Sequence, residues 1–557
     1  MYLDVSTLQR NGHTYQRVLL RESYRDQGKV KKRTLANLSA CSDAEIEAIQ
    51  LALRHKQELA QVGSLEQLLS VQQGPSIGAV WVVYTLARRL GIARALGASR
   101  EGKLALWQVI ARVIDQGSRL SAVRFASDHG ACDVLDLEPF HEEHLYANLD
   151  WLQAHQVHIE KKLVEQTHRS EKADLFLYDV TSSYREGEHN ELAAFGYHRD
   201  GKKGKRQIVI GLLCDCQGRA LSIEVFPGNT QDTQDTQTFA GQVQKVAERF
   251  GGGAVTFVGD RGMIKGPQIE ALKAYQDHEF HYITAITKPQ IEKLLAAGTL
   301  PVGLFDPVVA EVQMSDGVRY VLRRNPIRAT EVQRAREDKY QALCQFLEEQ
   351  HRYLQEHPRA TVEVAQRKLQ AKSQQLKIDD WVIISVQQRT LSVSKDTAQL
   401  PELEKLDGCY VLKTDLASAA ASKELIHDRY KDLALVEWAF RTSKTVHLEM
   451  RPIHVRLATR TRGHALVVML AYRIIQELAS CWRALDVTVE EGLNELNTLC
   501  VTDIAIAGGA CCHRIPEPRP LCQQLLGAAE VKLPAVLPSK GVKVATKKKL
   551  TSRRKAA

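Results

Sequence analysis

Residues 175–180 read LFLYDV, an apolar run of strand length that carries one carboxylate. On the two-residue period of a strand, Asp179 shares a face with Leu175 and Leu177. Four further runs have the same texture: QIVIGLLC at 207–214, ALSIEVF at 220–226, AVTFV at 254–258 and HYITAIT at 281–287. The DCQG tetrapeptide at 215–218 makes a hairpin turn between the second and third. Helix-period segments at 236–250 and 267–275 separate the third, fourth and fifth. A three-strand meander followed by strand–helix–strand crossovers predicts an α/β fold, with a mixed sheet and helices on its faces.

Upstream, residues 77–165 show helical spacing at 79–96, 104–114 and 145–163, with Gly and Pro breaks between. Residues 1–75 read as a small hairpin, turning at Gln27-Gly28, and a helix over 43–61. This part is rich in Lys and Arg. It reads either as a solvated strand edge or as a module that binds DNA ends. Downstream, 300–412 looks like an insertion, with β-type pieces around a charged helical pair at 330–376. GCYVLK at 408–413 resumes the strand texture, and helices are expected over 423–443 and 461–485. The expected units are an N-terminal α+β module (1–75), a helical module (76–165), a first core part (166–300), a β-rich insertion (301–412), a second core part (413–485) and a C-terminal region (486–557).

The chain has 557 residues, 44% of them hydrophobic and 25% charged, which leaves room for several cores and excludes wholesale disorder. The formal net charge of +9 matters only where it is concentrated. After Glu530 no acidic residue occurs, and nine Lys and Arg crowd the end. Such a run is usually solvated, and it attracts phosphate without specifying an activity. Eleven scattered cysteines, with no apolar leader at the start, suggest reduced, mostly buried thiols in a cytoplasmic, nucleoid-associated protein. The most apolar stretch, 465–479, is interrupted by Arg473, Gln476 and Glu477 and reads as a core helix rather than a membrane span.

Three acids stand out. Asp179 lies on an apolar strand face, where an ionised carboxylate is costly unless a cation or donors compensate; the plainer reading is a turn or cap Asp. Asp260 follows a strand and precedes Arg261-Gly262, a position where open α/β sheets bind ligands, although taken alone a loop Asp starting a turn is the plainer reading. Tyr430, Leu433, Glu437, Phe440 and Lys444, spaced 3, 4, 3 and 4, form one helical stripe. Glu437 is then an acid on an apolar face, unless it pairs with Arg441 at i, i+4 for about 0.3–0.5 kcal/mol. Three acids at one place repel one another without cations. Two Mg²⁺ ions, with Mn²⁺ substituting, suit oxygen ligands and phosphodiester displacement. Spacing alone does not select these three from the 66 Asp and Glu of the chain.

Five ordered segments make the selection: YDVTSSY (178–184), GYHRDGKKGKRQIVIGLL (196–213), FPGNTQDT (226–233), VGDRGM (258–263) and DRYKDLALVEWAFRTSK (428–444). Together they resemble a bacterial insertion-sequence DDE transposase, of the IS-four-like group with a β-rich insertion between the second Asp and the Glu. The resemblance covers about residues 170–485. It implies an RNase H-like core, which the strand order suits, and puts the catalytic, metal-holding acids on Asp179, Asp260 and Glu437. The family signature around the Glu matches at Tyr430, Glu437 and Lys444, while Leu433 stands where Arg is usual. Tyr430, Lys444 and Arg441 are accordingly expected to contact DNA near the element's end. Arg261 and Lys265, beside Asp260, either balance its charge or touch phosphate. His198, Arg199, Lys202, Lys203, Lys205 and Arg206 form a basic loop, read as a DNA contact or as a solvated turn. The resemblance further implies binding to terminal inverted repeats, cleavage and joining to target DNA, and a homodimer pairing two ends.

Three other readings compete. Cys214 with Cys216, or Cys511 and Cys512 with His513, suggest zinc, but lack ribbon spacing. A catalytically inactive DNA-binding descendant and a simple nuclease share the same fold expectation.

Overall fold

The computed structural model describes the whole chain except residues 11–12, 57–68, 169–173, 188, 197–203, 231–235, 250–253, 262, 276, 446–447, 449, 451–452, 507–509, 538–541, 543 and 545–557. The chain divides into two compact units, Met1–Gly74 with Val501–Pro516, and Pro75–Cys500 with Glu517–Ala557.

In the first unit, β1 (Tyr2–Arg10), β2 (His13–Asp26) and β3 (Lys29–Asn37) form an antiparallel sheet. The expected hairpin is β2–β3, and β1 adds a third strand. Gln27 (φ 48°) and Gly28 (φ 80°) turn it, both in the left-handed conformation that matches strand twist. Helix Asp43–Arg54 starts at Ser42, whose hydroxyl accepts from the Glu45 N–H while the Glu45 carboxylate accepts from the Ser42 N–H. It ends before the expected residue 61, and 57–68 lies outside the described residues. A fourth strand, β4 (Leu69–Ser76), follows.

The second unit opens with helices Gly78–Arg89, Ile92–Leu96, Arg100–Ile114, Arg119–Asp128, Ala131–Leu135 and Glu142–Thr167. The helix expected over 79–96 is two helices, because Gly91 at φ 78° takes the left-handed conformation that ends a helix. Then come β5 (Leu175–Tyr184), β6 (Gln207–Asp215), β7 (Ala220–Phe226), β8 (Val255–Gly259) and β9 (Phe280–Ala285). In β5–β9, β6 runs antiparallel to β5 and β7, while β5, β8 and β9 are parallel. With β10 (Ala310–Gln313), β11 (Arg319–Arg324) and β14 (Cys409–Thr414) they make one mixed sheet in the order β10-β11-β14-β9-β8-β5-β6-β7.

The two sheet faces are covered differently. Phe176, Tyr178 and Val180 of β5 pack with Phe257 and with Phe239, Val243 and Ile269 from helices Thr236–Arg249 and Gly266–Lys273. Each such side chain, fully buried, stabilises the fold by roughly 1.5–3 kcal/mol. The alternate residues of β5 face helix Leu433–Lys444, and helix Ala458–Cys481 lies on β7. By length and a mean hydropathy of 1.2 the latter helix is apolar enough to cross a membrane, yet most of it is buried core. A Cβ on its Gly463 would stand 2.1 Å from the Leu149 carbonyl oxygen, so this helix crosses Glu142–Thr167 at backbone contact.

The segment between Asp260 and Glu437 departs from its expected β-rich character. Helices Pro326–Glu356 and Val362–Leu376 dominate it, around a core of Leu343, Leu369 and Trp381. Only β12 (Val382–Gln387) and β13 (Thr390–Lys395) form a hairpin of their own, because β10 and β11 join the main sheet through β14. The helix expected over 423–443 is likewise divided, at Asp432, into Lys423–Lys431 and Leu433–Lys444. Helices Val489–Asn497 and Pro520–Ala528 flank β15 (Cys500–Ile506) and β16 (Ala510–Arg514), which pair with β4 in the order β16-β15-β4. Residues 486–557 are therefore not one module: 501–516 complete the first unit. Most of the basic tail lies outside the described residues. The described cysteines are free, but only Cys132, Cys214 and Cys522 are buried, fewer than expected.

Candidate active site

The register of β5 on β8 places the first two acids. Tyr178 pairs with Gly259 in the parallel ladder, so Asp179 and Asp260 come next on adjacent strands, whose backbones are about 4.8 Å apart. Asp179 is half-buried, and its Oδ1 accepts from the Val180 N–H at 2.8 Å. Asp260 is exposed at the start of a turn, its carbonyl accepting from the Met263 N–H at 3.0 Å.

Glu437 comes from the helix lying on β5. Leu433, Val436 and Phe440 form that helix's buried side, and Glu437 is exposed beside it rather than within it. Asp179, Asp260 and Glu437 line one open cavity of about 710 Å³. The three acids singled out from sequence are thus brought together at one place.

Tyr430 lines the same cavity, and its hydroxyl donates to Asp260 Oδ1 at 2.9 Å. Burial, and then the Asp260 carboxylate, push its phenol above the ordinary range. The expected DNA contact of Tyr430 is therefore occupied by an acid of the site. Lys444 is corrected more strongly. It is buried, and its ammonium donates to the hydroxyl of Thr181, two residues along β5 from Asp179. The expected stripe holds only in part: Tyr430 sits on the preceding helix, Glu437 is exposed, and Leu433, Phe440 and Lys444 are buried, Lys444 facing the sheet away from solvent. Arg441 is exposed on the same helix and is not among the cavity-lining residues. Leu433, in place of the usual Arg, is buried against the cavity.

Of the basic pair beside Asp260, Arg261 is exposed and lines the cavity. Lys265 is half-buried and precedes helix Gly266–Lys273, its N–H donating to Gln268 Oε1 at 3.1 Å. Lys205 and Arg206 are exposed; His198, Arg199, Lys202 and Lys203 lie outside the described residues. Sequence reasoning missed the cations Lys288, Arg328 and Lys431 on the cavity wall. It also missed that both ends of the 301–412 segment, at Asn325 and Gly408, form part of that wall. Lys431 adjoins Tyr430 and could have been suspected; Arg328 carried no local signal.

Carboxylate oxygens on one wall are the donor set a hard divalent cation takes, so the side chains fit Mg²⁺ in kind. Among the described residues, no three His, Cys, Asp or Glu side chains form a group able to hold one metal ion. The acids share a cavity without forming a closed coordination shell.

Residues 3–66 match the family model described as the N-terminal domain of IS1634 family transposases. This match supports an insertion-sequence transposase, and it ends well before the segment that carries the three acids. No curated protein matches the chain. Among solved structures, a cryo-EM structure of piggyBac transposase in a synaptic complex with hairpin DNA is similar over 76% of this chain and 69% of that chain, at 8% identity and a TM-score of 0.34. At that TM-score the likeness bears on neither fold nor activity.

Proposed function

We propose that this chain, which opens with a segment of the insertion-sequence transposase kind, is a DDE transposase whose catalytic carboxylates are Asp179, Asp260 and Glu437. The observation that carries this reading is that three acids from β5, the end of β8 and a helix beyond a long inserted segment line one open cavity. An RNase H-like core is part of the proposal. The order β7-β6-β5-β8-β9, with β6 alone reversed, supports it. So does the IS-four-like arrangement, in which the inserted segment separates Asp260 from Glu437.

Each residue has a chemical task. Asp179, Asp260 and Glu437 would hold the divalent cations, two per site, Mg²⁺ with Mn²⁺ as substitute. When bound, such ions activate a hydroxyl nucleophile and stabilise attacking and leaving oxygens. Tyr430 fixes the Asp260 carboxylate through its hydrogen bond. Arg261, Lys288, Arg328 and Lys431 draw phosphate to a cavity whose own acids would repel it. The basic N-terminal module binds the terminal inverted repeats, and two copies pair two ends as a homodimer in a cytoplasmic, nucleoid-associated complex.

The test uses duplex DNA carrying the sequences that flank the coding region. With Mg²⁺ the wild-type chain should cut at the element's ends and join the freed 3′-hydroxyl to a second DNA; without it, neither. Asp179→Asn and Glu437→Gln should lower cutting by at least a thousandfold, an effect of about 4 kcal/mol, while still binding the duplex. Cutting by either variant at the wild-type rate would remove the assignment. Cutting with no joining would make the chain a nuclease.

A further inference from the structure

Polar character on β5 continues beyond Asp179. On the same face the alternate residues are Thr181, Ser183 and, just past the strand, Arg185. The Arg185 N–H donates to the Arg206 carbonyl at 2.9 Å, and Arg185 bridges in parallel to Ile453. Its side chain is only 4% exposed, and Nε and Nη1 are buried without a hydrogen-bond partner among the described residues. A guanidinium cannot shed its charge, so unpartnered burial of two of its nitrogens is costly. Arg319, also buried and with its own Nε unpartnered, nevertheless satisfies its charge: it donates to the Leu416 and Ala421 carbonyls and pairs with Glu311 at 2.6 Å.

The surroundings of Arg185 add positive charge. Tyr184 pairs with Gln207, so Arg206 stands opposite Arg185 in the antiparallel ladder. Arg206 is exposed, its guanidinium 5.5 Å from the centre of the Phe195 ring. Arg456, three residues beyond Ile453, is exposed too. Burial, and then the charges of Arg456 and Arg206, disfavour the charged Arg185 guanidinium and lower its pKa from the ordinary value, although it remains a cation. A buried, unpartnered cation, with one exposed arginine opposite it in the ladder and another near enough to act on its charge, favours an anion.

We propose that Arg185, Arg206 and Arg456 form a phosphodiester-binding site, distinct from the three-acid cavity, that grips the backbone of the DNA cleaved at Asp179. The proposal rests on the transposase reading. Six residues of strand separate Arg185 from Asp179, about 20 Å at ~3.3 Å per residue. For a duplex lying parallel to this strand, that span equals on the order of six base-pair steps from the cut.

The test is the salt dependence of binding by the full chain to a fluorescent duplex carrying the element's end. Each phosphate contact contributes about 0.9 to the slope of log K against log salt. Arg185→Gln, Arg206→Ala and Arg456→Ala should each make the slope shallower, toward a loss of about one contact, and weaken end and unrelated duplexes alike. Arg185→Gln should leave Tm unchanged or raise it, because an unpartnered buried charge is removed; a purely structural arginine would lower Tm and leave the slope alone. A single methylphosphonate about six steps from the cut should weaken wild-type binding and spare Arg185→Gln. Unchanged slopes in all three variants, with wild-type cutting intact, overturn this site alone. Inorganic phosphate raising the wild-type Tm, with the DNA slopes unchanged, likewise overturns the DNA assignment. A wild-type chain that neither binds nor cuts the duplex defeats the transposase reading itself, and this site with it.

Discussion

Tyr430 and Asp260 are 170 positions apart in the chain and hydrogen-bonded at 2.9 Å. A hydrogen bond to a charged partner contributes about 1.5–3 kcal/mol. Tyr430→Phe should therefore slow single-turnover cleavage by roughly ten- to a hundredfold while leaving duplex affinity unchanged. A fall in affinity with no fall in rate would return Tyr430 to the DNA-contact role that the family signature suggests. His464 allows a second prediction. Burial first, then the charges of Arg119 and Arg112, hold its imidazole well below its ordinary value, and Arg119 Nη2 lies 3.1 Å from its Nδ1. The folded state keeps this ring neutral, while the unfolded chain protonates near pH 6.5. Its contribution is complete above about pH 6.5 and is lost as pH falls below it, by up to about 1.4 kcal/mol per pH unit. Urea unfolding at pH 7.5 and 5.5 should show that loss in the wild type and a smaller one in His464→Gln. At this scale Asp260 was legible as an acid just past a strand, whereas Asp179 lies inside β5, which runs on to Tyr184 beyond the apolar run that marked it. The burial of Lys444 was not, because helical spacing gives an angle about an axis and not what that angle faces.

Among the elements, the inserted segment was the hardest to read. Its β-type ends were visible, but whether VRYVLRR pairs with its own neighbours or with a distant strand depends on a partner the local sequence does not name. The structure pairs it with both its neighbour β10 and the distant β14, leaving a mainly helical body. Gly408 fixes where that body rejoins the sheet. It sits at φ 72°, and a Cβ there would stand 2.3 Å from the Asn325 carbonyl oxygen, across the neck of the segment. Gly408→Ala should cost about 1–3 kcal/mol of stability through backbone strain and the clash. Denaturant titration would read this, and because Gly408 also lines the cavity, cleavage should fall with it. An alanine variant as stable as wild type would mean that the neck is not constrained there.

For the whole molecule, the five core strands were legible because each is a compact apolar run, whereas the make-up of the first unit was not. β15 and β16 carry no local sign that they pair with β4, so the C-terminal region was read as separate. A chain ending at residue 500 should lose two strands of a three-strand sheet. Hydrogen exchange should then find β4 unprotected while β5 and β8 keep wild-type protection. Equal protection of β4 in both chains would show that it stands without them. During synthesis this pairing imposes a delay. Between residue 74 and residue 501 lie more than four hundred codons, about 20–90 s of translation at ~5–20 residues per second. Throughout that interval β4 leaves the ribosome with an open hydrogen-bonding edge, the kind that recruits stray strands from neighbouring nascent chains.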